Sequence, residues 1–287
     1  MSEARLLLLA ACAWCHASGC TLAMESAAPP NSRPAIVAHR GASADAPENT
    51  LAAFRAGFDQ GADAVEGDFR STRDGVIVAI HDADLRRTTG DPRRVDEIDF
   101  AELQRLDAGS WGRWRDGDFV GERVPSLEAI LEVVPEGRGV VIEVKDSTRI
   151  VPALIEAVDG SGVAVDMITV ISFDADVIAA VKSRRPDWRA LWVTGFTREN
   201  DRWSPDLSEM IETARRIRAD GVDVQATLDV VDESLASSMR EAGLELHVWT
   251  VDDPEVSRVM AELGVDSITT NRPATIRRAM TEHEGGG

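Results

Sequence analysis

Tyrosine is absent from this 287-residue chain, and aromatics of all kinds make up only 5% of it. No apolar run approaches the length of about 18 residues that a membrane-spanning helix needs, which excludes such a helix. Cysteine occurs three times, at Cys12, Cys15 and Cys20, all near the N-terminus. The rest of the chain can form no internal disulfide and has no thiol for catalysis or metal binding. Positive charge is scarce: 31 Lys and Arg against 50 Asp and Glu leave a net charge of −19. That balance excludes general nucleic-acid binding, which needs a basic face, and electrostatic docking on anionic lipid. An anionic substrate would be repelled at long range, so a local cluster of cations must capture it.

What is present fits a folded protein. Hydrophobic residues make up 44% and charged residues 28%. The length suits one large α/β domain or two small ones, enough to bury a core without disulfides. Met1 to Glu25 has the layout of an export signal: Arg5, a short apolar run from Leu6 to Ala11, then small residues before Cys20. Ala17-Ser18-Gly19-Cys20 resembles a bacterial lipoprotein cleavage box, which would make Cys20 the lipidated residue and a membrane tether. The expected location is then the periplasm or cell envelope. A mis-assigned start codon is the plain alternative. Pro29 and Pro30 mark a tether. Residues 1–33 are therefore set apart from a single domain over 34–280, with a disordered tail at 281–287.

Eight apolar runs follow, at 35–38, 62–69, 140–144, 167–172, 190–194, 221–225, 245–250 and 266–269. Helical patterns fall between most of them, at 49–60, 126–134, 150–159, 174–184, 208–218, 230–242 and 254–263, with Asn49, Ser126 and Asp174 as N-caps. Eight strands alternating with helices predict an α/β fold, a (β/α)₈ TIM barrel, with an open doubly wound sheet as the competitor. Residues 76–80 break the alternation. Asp74-Gly75 is a hairpin signal, and the link from residue 69 is too short for a parallel crossover. This segment should fold back antiparallel, bringing His81 and Asp82 beside Glu66. Residues 83–125 then form an insertion over the barrel mouth, with Trp111, Trp114 and Phe119 as lid or pocket walls.

Barrel active sites lie at the C-terminal ends of the strands. There the sequence places His39-Arg40-Gly41, Glu66 and Asp68, His81-Asp82, Glu143 and Lys145, and His247, Trp249 and Thr250. Glu66 and Asp68 are two apart on a strand and share a face, as do Glu143 and Lys145. Three converging carboxylates repel one another, so protons, a salt-bridged network with Lys145 and Arg40, or a divalent cation must offset the repulsion. Oxygen-only ligands favour Ca²⁺ or Mg²⁺ over zinc. Histidine as a residue type titrates near neutral pH and suits proton transfer, which makes His39 and His81 the candidates. Glu48 and Asp82 read as supports for the site, and His247 as a packed barrel residue.

Together these residues resemble the glycerophosphodiester phosphodiesterase family. The likeness runs through His39-Arg40-Gly41, Pro47-Glu48-Asn49-Thr50, Glu66-Gly67-Asp68, His81-Asp82, Arg87-Thr88-Thr89, Glu143-Val144-Lys145, Ser172-Phe173, Trp249-Thr250-Val251 and Thr270-Asn271-Arg272-Pro273. It implies a barrel of the phospholipase-C-like phosphodiesterase type and cleavage of a glycerophosphodiester to sn-glycerol 3-phosphate and an alcohol. It also implies one divalent cation. By resemblance, His39 and His81 are the acid–base pair, Arg40 and Lys145 bind the phosphate, Trp249 lines the substrate pocket, and Glu66, Asp68 and Glu143 hold the metal. Gly67 departs from the larger residue usual between the two acids, and a consequence is expected for helix packing rather than chemistry. The expected partner is a small glycerophosphodiester. The rivals are a barrel glycoside hydrolase with paired carboxylates, a non-enzymatic ligand-binding envelope lipoprotein, and a lysophospholipase D acting on longer lipids.

Overall fold

The computed structural model describes residues 33–284. The segment expected to be an export signal, with Cys20, and the last three residues lie outside the described residues. The eight barrel strands, with a hairpin strand and a minor hairpin among them, are β1 (Ala35–Ala38), β2 (Ala64–Ser71), β3 (Ile77–Ala79), β4 (Gly139–Val144), β5 (Ile168–Ser172), β6 (Arg189–Thr194), β7 (Thr197–Glu199), β8 (Arg202–Ser204), β9 (Gly221–Gln225), β10 (Glu245–Trp249) and β11 (Ser267–Thr270). The sheet runs β1-β11-β10-β9-β6-β5-β4-β2-β3, and β1 also pairs with β2, which closes the barrel. All eight barrel strands are parallel, whereas β3 is antiparallel to β2. The open-sheet alternative is thereby excluded. Following the pairings once round returns to β2 about eight residues displaced, the shear of this barrel type. Because of that shear, alternate strands share a layer. Glu66, Ile171, Asp223 and Thr269 form one interior layer. His39, Glu143, Val193 and Trp249 form the next towards the mouth.

The helices are α1 (Leu51–Asp59), α2 (Arg86–Thr89), α3 (Phe100–Leu103), α4 (Leu127–Leu131), α5 (Val151–Ser161), α6 (Ala175–Arg184), α7 (Leu207–Ile217), α8 (Glu233–Ala242), α9 (Pro254–Glu262) and α10 (Pro273–Glu284). The apolar core sits between them and the outer face of the sheet, with Trp188, Phe54 and Phe69 fully buried. Burying a Phe there contributes about 1.5–3 kcal/mol. Ser126 and Asp174 cap α4 and α6 as expected. Asn49 does not cap α1. Thr50 does, accepting from the Ala53 amide, and frees Asn49 for another task. The final helix runs to Glu284, past the expected boundary at 280.

Gly67 points at α1, where a Cβ would meet the Phe54 ring at 3.0 Å and the Phe69 ring at 3.2 Å. The missing side chain lets α1 pack close to β2, so its effect is on packing, as the alternation predicts.

The β2–β3 hairpin forms, with Thr72 Oγ1 donating to Asp74 Oδ1 and Gly75 at φ +86°. Its register pairs Phe69 with Ala79, and the Ile80 amide donates to the Asp68 carbonyl at 2.8 Å. This register continues to His81 beside Gly67 and Asp82 beside Glu66, as the hairpin signal predicts. The β7–β8 hairpin was not anticipated. Its residues are exposed or half-buried, so it carries no strong apolar alternation, and Asn200 and Asp201 turn it with positive φ.

The insertion holds α2, α3 and short turns. It has its own apolar cluster of Leu85, Val95, Ile98, Leu103, Ala108 and Val124 packed on Val78 and Ile80. Arg113 fastens it to the mouth by donating to the Ser43 and Ala44 carbonyls at 2.9 and 2.8 Å.

Candidate active site

Arg40 and Gly41 both turn with positive φ immediately after β1. A Cβ at Gly41 would sit 2.3 Å from the Ala53 backbone, so only glycine lets the chain pass α1 there. This bend points the Arg40 amide at Glu66 Oε2, 2.8 Å away, and brings the guanidinium Nε within 3.1 Å of Asp68 Oδ2. Glu66 and Asp68 project inward from β2 and Glu143 from β4. All three are buried, with one oxygen from each within 4.8 Å of the others. Asn49, turned by its positive φ, donates from Nδ2 to Asp68 Oδ2 at 2.8 Å and accepts from the Asp68 amide at 3.1 Å. Lys145, one residue past β4, holds its ammonium 2.6 Å from Glu143 Oε1 and 3.3 Å from Asp68 Oδ1.

The electrostatics of the trio follow from this crowding. Burial, then the charges of Asp68 and Glu143, push the Glu66 carboxyl well above its usual range. Burial and Asp68 push Glu143 up to about 7 despite Lys145. Burial also opposes charge on Asp68, but Arg40, Lys145, His81 and the Asn49 amide outweigh it and hold that carboxyl low. Glu66 Oε1, Asp68 Oδ1 and Glu143 Oε1 are buried without a hydrogen-bond partner; the Lys145 contacts are ion pairs without aligned hydrogen bonds. These three inward carboxylate oxygens, two of them facing only the Lys145 ammonium, form a hard, anionic set that fits a divalent cation.

Each histidine has its Nδ1 engaged. His39 Nδ1 lies 2.8 Å from Asn271 Oδ1. The Asn271 amide donates to Asp252 Oδ2 at 2.7 Å, which fixes its oxygen towards the ring. An amide oxygen only accepts, so His39 Nδ1 carries the proton and Nε2 of the neutral ring is free to accept. Burial, then Arg40, lower the pKa of His39 and favour that neutral form. His81 Nδ1 lies 2.8 Å from Asp82 Oδ1. Burial works against charge on Asp82, but hydrogen bonds from Arg87 and His81 hold it down to about 2. Both rings thus present Nε2 away from their anchors, one backed by a neutral amide and the other by a carboxylate.

Trp249 ends β10 half-buried. Its indole donates to the Asp223 carbonyl at 3.2 Å and its ring meets Phe173 edge-on at 5.6 Å. Phe173 in turn lies 5.3 Å from the Lys145 ammonium, so Trp249 joins the site through it. Arg40 contacts Glu66 and Asp68, Lys145 contacts Asp68 and Glu143, and the three carboxylates converge between them, with the histidines flanking the cluster. His247 is a packed barrel residue, bonded to Ser267 Oγ at 2.6 Å and Glu245 Oε2 at 3.1 Å. The sequence reading gave no role to Asn271, Asp252, Phe173 or Arg87. Asn271, Phe173 and Arg87 fell within the family-like motifs, which was the available signal.

Asp223 lies in the interior layer of Glu66, one layer below His39 and Glu143. It is 4% exposed with Oδ1 unpaired, and with His247 it lines a cavity of about 920 Å³ whose lining includes neither His39 nor His81. Burial raises its carboxyl to about 6, against the pull of His247. Between the unfolded value near 3.8 and about 6, the folded protein keeps a proton that the unfolded chain releases. Stability from this group therefore falls as pH rises through that window. Asp223→Asn is expected to raise unfolding free energy at pH 8 by up to about 3 kcal/mol and to leave it unchanged near pH 3.5. Urea unfolding at the two pH values checks this; an equal change at both would contradict it.

Comparison with known proteins agrees with this geometry. Residues 39–275 match the glycerophosphoryl diester phosphodiesterase family. A glycerophosphodiester phosphodiesterase of Caldanaerobacter subterraneus subsp. tengcongensis is 31% identical over 249 residues, spanning 84% of this chain and 95% of that protein. The crystal structure of a glycerophosphodiester phosphodiesterase from Agrobacterium tumefaciens C58 superposes with a TM-score of 0.70 at 33% identity, covering 85% of this chain and 99% of that one. An Oleispira antarctica phosphodiesterase in complex with the product sn-glycerol-3-phosphate gives a TM-score of 0.76 at 25% identity, covering 87% and 97%. A closed parallel barrel, a buried acidic trio at its mouth and a family match across nearly the whole described chain lead to one conclusion: the protein belongs to the glycerophosphoryl diester phosphodiesterase family of hydrolases.

Proposed function

We propose that the protein hydrolyses glycerophosphodiesters to sn-glycerol 3-phosphate and an alcohol, with His39 and His81 exchanging protons on either side of the phosphorus. The carrying observation is that both imidazoles are anchored through Nδ1 around a cluster of two cations and three carboxylates. Glu66, Asp68 and Glu143 would hold one divalent cation, Ca²⁺ or Mg²⁺. When bound, it supplies positive charge to the phosphoryl oxygens as negative charge grows on them.

The chain's own residues do the rest. Arg40 can grip two phosphate oxygens at once, and Lys145 offers a point charge beside it. These two overcome locally the repulsion that a net charge of −19 imposes on an anionic substrate. One histidine removes a proton from the attacking hydroxyl, and the other gives one to the departing alkoxide, which is otherwise a poor leaving group. Trp249 and Phe173 form an apolar corner next to Lys145 that suits the carbon skeleton of the glycerol or alcohol portion. The product seen with the Oleispira antarctica relative supports the glycerol phosphate half of this reading. Export, with a lipid tether at Cys20, would place the activity in the cell envelope.

The test is a panel of glycerophosphodiesters of differing alcohols, with a neutral glycoside and a lysophospholipid as controls, assayed with and without chelator. Release of sn-glycerol 3-phosphate that stops in chelator is the expected result. Hydrolysis of the glycoside, or full activity in excess chelator, would refute the proposal.

A further inference from the structure

The geometry points to Arg87 as a positioning residue that joins the two halves of the site, an inference resting on the phosphate-binding and proton-transfer roles just proposed. Arg87 lies in α2, at the start of the insertion. Its Nη1 and Nη2 donate to Glu48 Oε2 and Oε1 at 2.9 and 2.8 Å, and its Nε donates to Asp82 Oδ2 at 2.7 Å. The guanidinium also lies 5.2 Å from the centroid of the Trp111 ring. Both carboxylates that it grips have a second partner. Glu48 Oε1 accepts from Arg40 Nη1 at 2.9 Å, and Asp82 Oδ1 accepts from His81 Nδ1 at 2.8 Å. An unbroken chain of charge-assisted hydrogen bonds thus runs Arg40–Glu48–Arg87–Asp82–His81.

The donors of Arg87 are directed at protein carboxylates, so it acts through its neighbours and not on the substrate. Two carboxylates approaching from different directions need the forked donor set of arginine; a lysine could serve them only as a point charge. Without Arg87, Glu48 and Asp82 would keep only Arg40 and His81 as close cationic partners or donors. Glu48 would then draw Arg40 into a two-pronged pair and away from the phosphoryl group, and Asp82 would lose the contact that fixes the His81 ring plane. The insertion is thereby coupled to catalysis by one side chain. Because that side chain is 37% exposed, its pairs add little to global stability, and its effect should be read in kinetics.

The experiment compares wild type, Arg87→Met and Arg87→Lys as full chains with a glycerophosphodiester and saturating cation, alongside circular dichroism. Arg87→Met keeps the stacking bulk against Trp111 and removes the charge. It is expected to lower kcat by about 10- to 100-fold, the scale of a misplacement near 1 Å, and to raise KM, with an unchanged spectrum. Arg87→Lys should recover part of both losses. Values of kcat and KM within twofold of wild type in Arg87→Met overturn the inference. So does a fall in kcat that follows loss of folded protein at constant KM, or an Arg87→Lys variant as impaired as Arg87→Met. An active wild type with an unaffected Arg87→Met refutes the role of Arg87 alone, whereas a wild type that cleaves no phosphodiester overturns the functional reading as well.

Discussion

His39→Ala and His81→Ala are each expected to lower kcat by about 10²- to 10⁴-fold, with KM little changed and the circular dichroism spectrum intact. The magnitude is that of losing one positioned acid or base. The intact fold is expected because neither ring belongs to the core: both are half-buried at the ends of strands. The anchors differ in a way that an assay can read. His39 rests on a neutral amide and is kept neutral by burial and Arg40. His81 donates to a carboxylate held strongly ionised by Arg87. A nitrophenyl phosphodiester loses a leaving group that departs without a proton, so the variant lacking the general acid should be least impaired on it. The variant lacking the base should be impaired equally on both substrates. Near-normal turnover of the natural diester by either variant would remove that histidine from the mechanism.

Much of the arrangement was legible in the chain, because a parallel barrel imposes two simple rules. Strands covered by helices read as short apolar runs, and inward positions alternate. That is why Glu66, Asp68, Glu143 and Lys145 could be placed on one interior from spacing alone, and why Gly67 could be turned outward to α1. The failures have physical causes. Asn49 has the chemistry of an N-cap, but Thr50 takes that position and the Asn49 carboxamide is needed to brace Asp68. The exposed β7–β8 hairpin lacks the apolar alternation by which a strand is recognised. Asp252 and Asn271 support His39 from the other end of the chain, a separation that no spacing argument spans. Arg87 lay inside a family-like motif, yet its partners come from the loop after β1 and the turn after β3, so its role emerges only once the barrel has closed.

Glu143→Gln should separate function from stability at the acidic trio. In the wild type, three buried carboxylates face one another with one oxygen each lacking a hydrogen bond, and burial and Asp68 drive Glu143 up to about 7. A bound divalent cation would offset that repulsion, so wild-type Tm should rise with added Ca²⁺ or Mg²⁺ as mass action stabilises the folded state. Glutamine retains the shape of glutamate and removes one charge. The variant should therefore melt no lower than wild type in chelator, because less repulsion remains to be offset. It should also need a half-activating cation concentration raised by at least the ~10- to 100-fold that follows loss of a support around a metal site. Lys145 sharpens the expectation: its ammonium contacts both Glu143 and Asp68, so glutamine at 143 leaves it ion-paired to Asp68 alone, and on the phosphate-binding role proposed for it this would change its aim at the substrate. Thermal melts with and without cation, beside activity titrations, distinguish these effects. If Glu143→Gln keeps the cation-induced rise in Tm and the wild-type activation midpoint, Glu143 does not hold the ion, and the trio is only a salt-bridged network around Lys145 and Arg40.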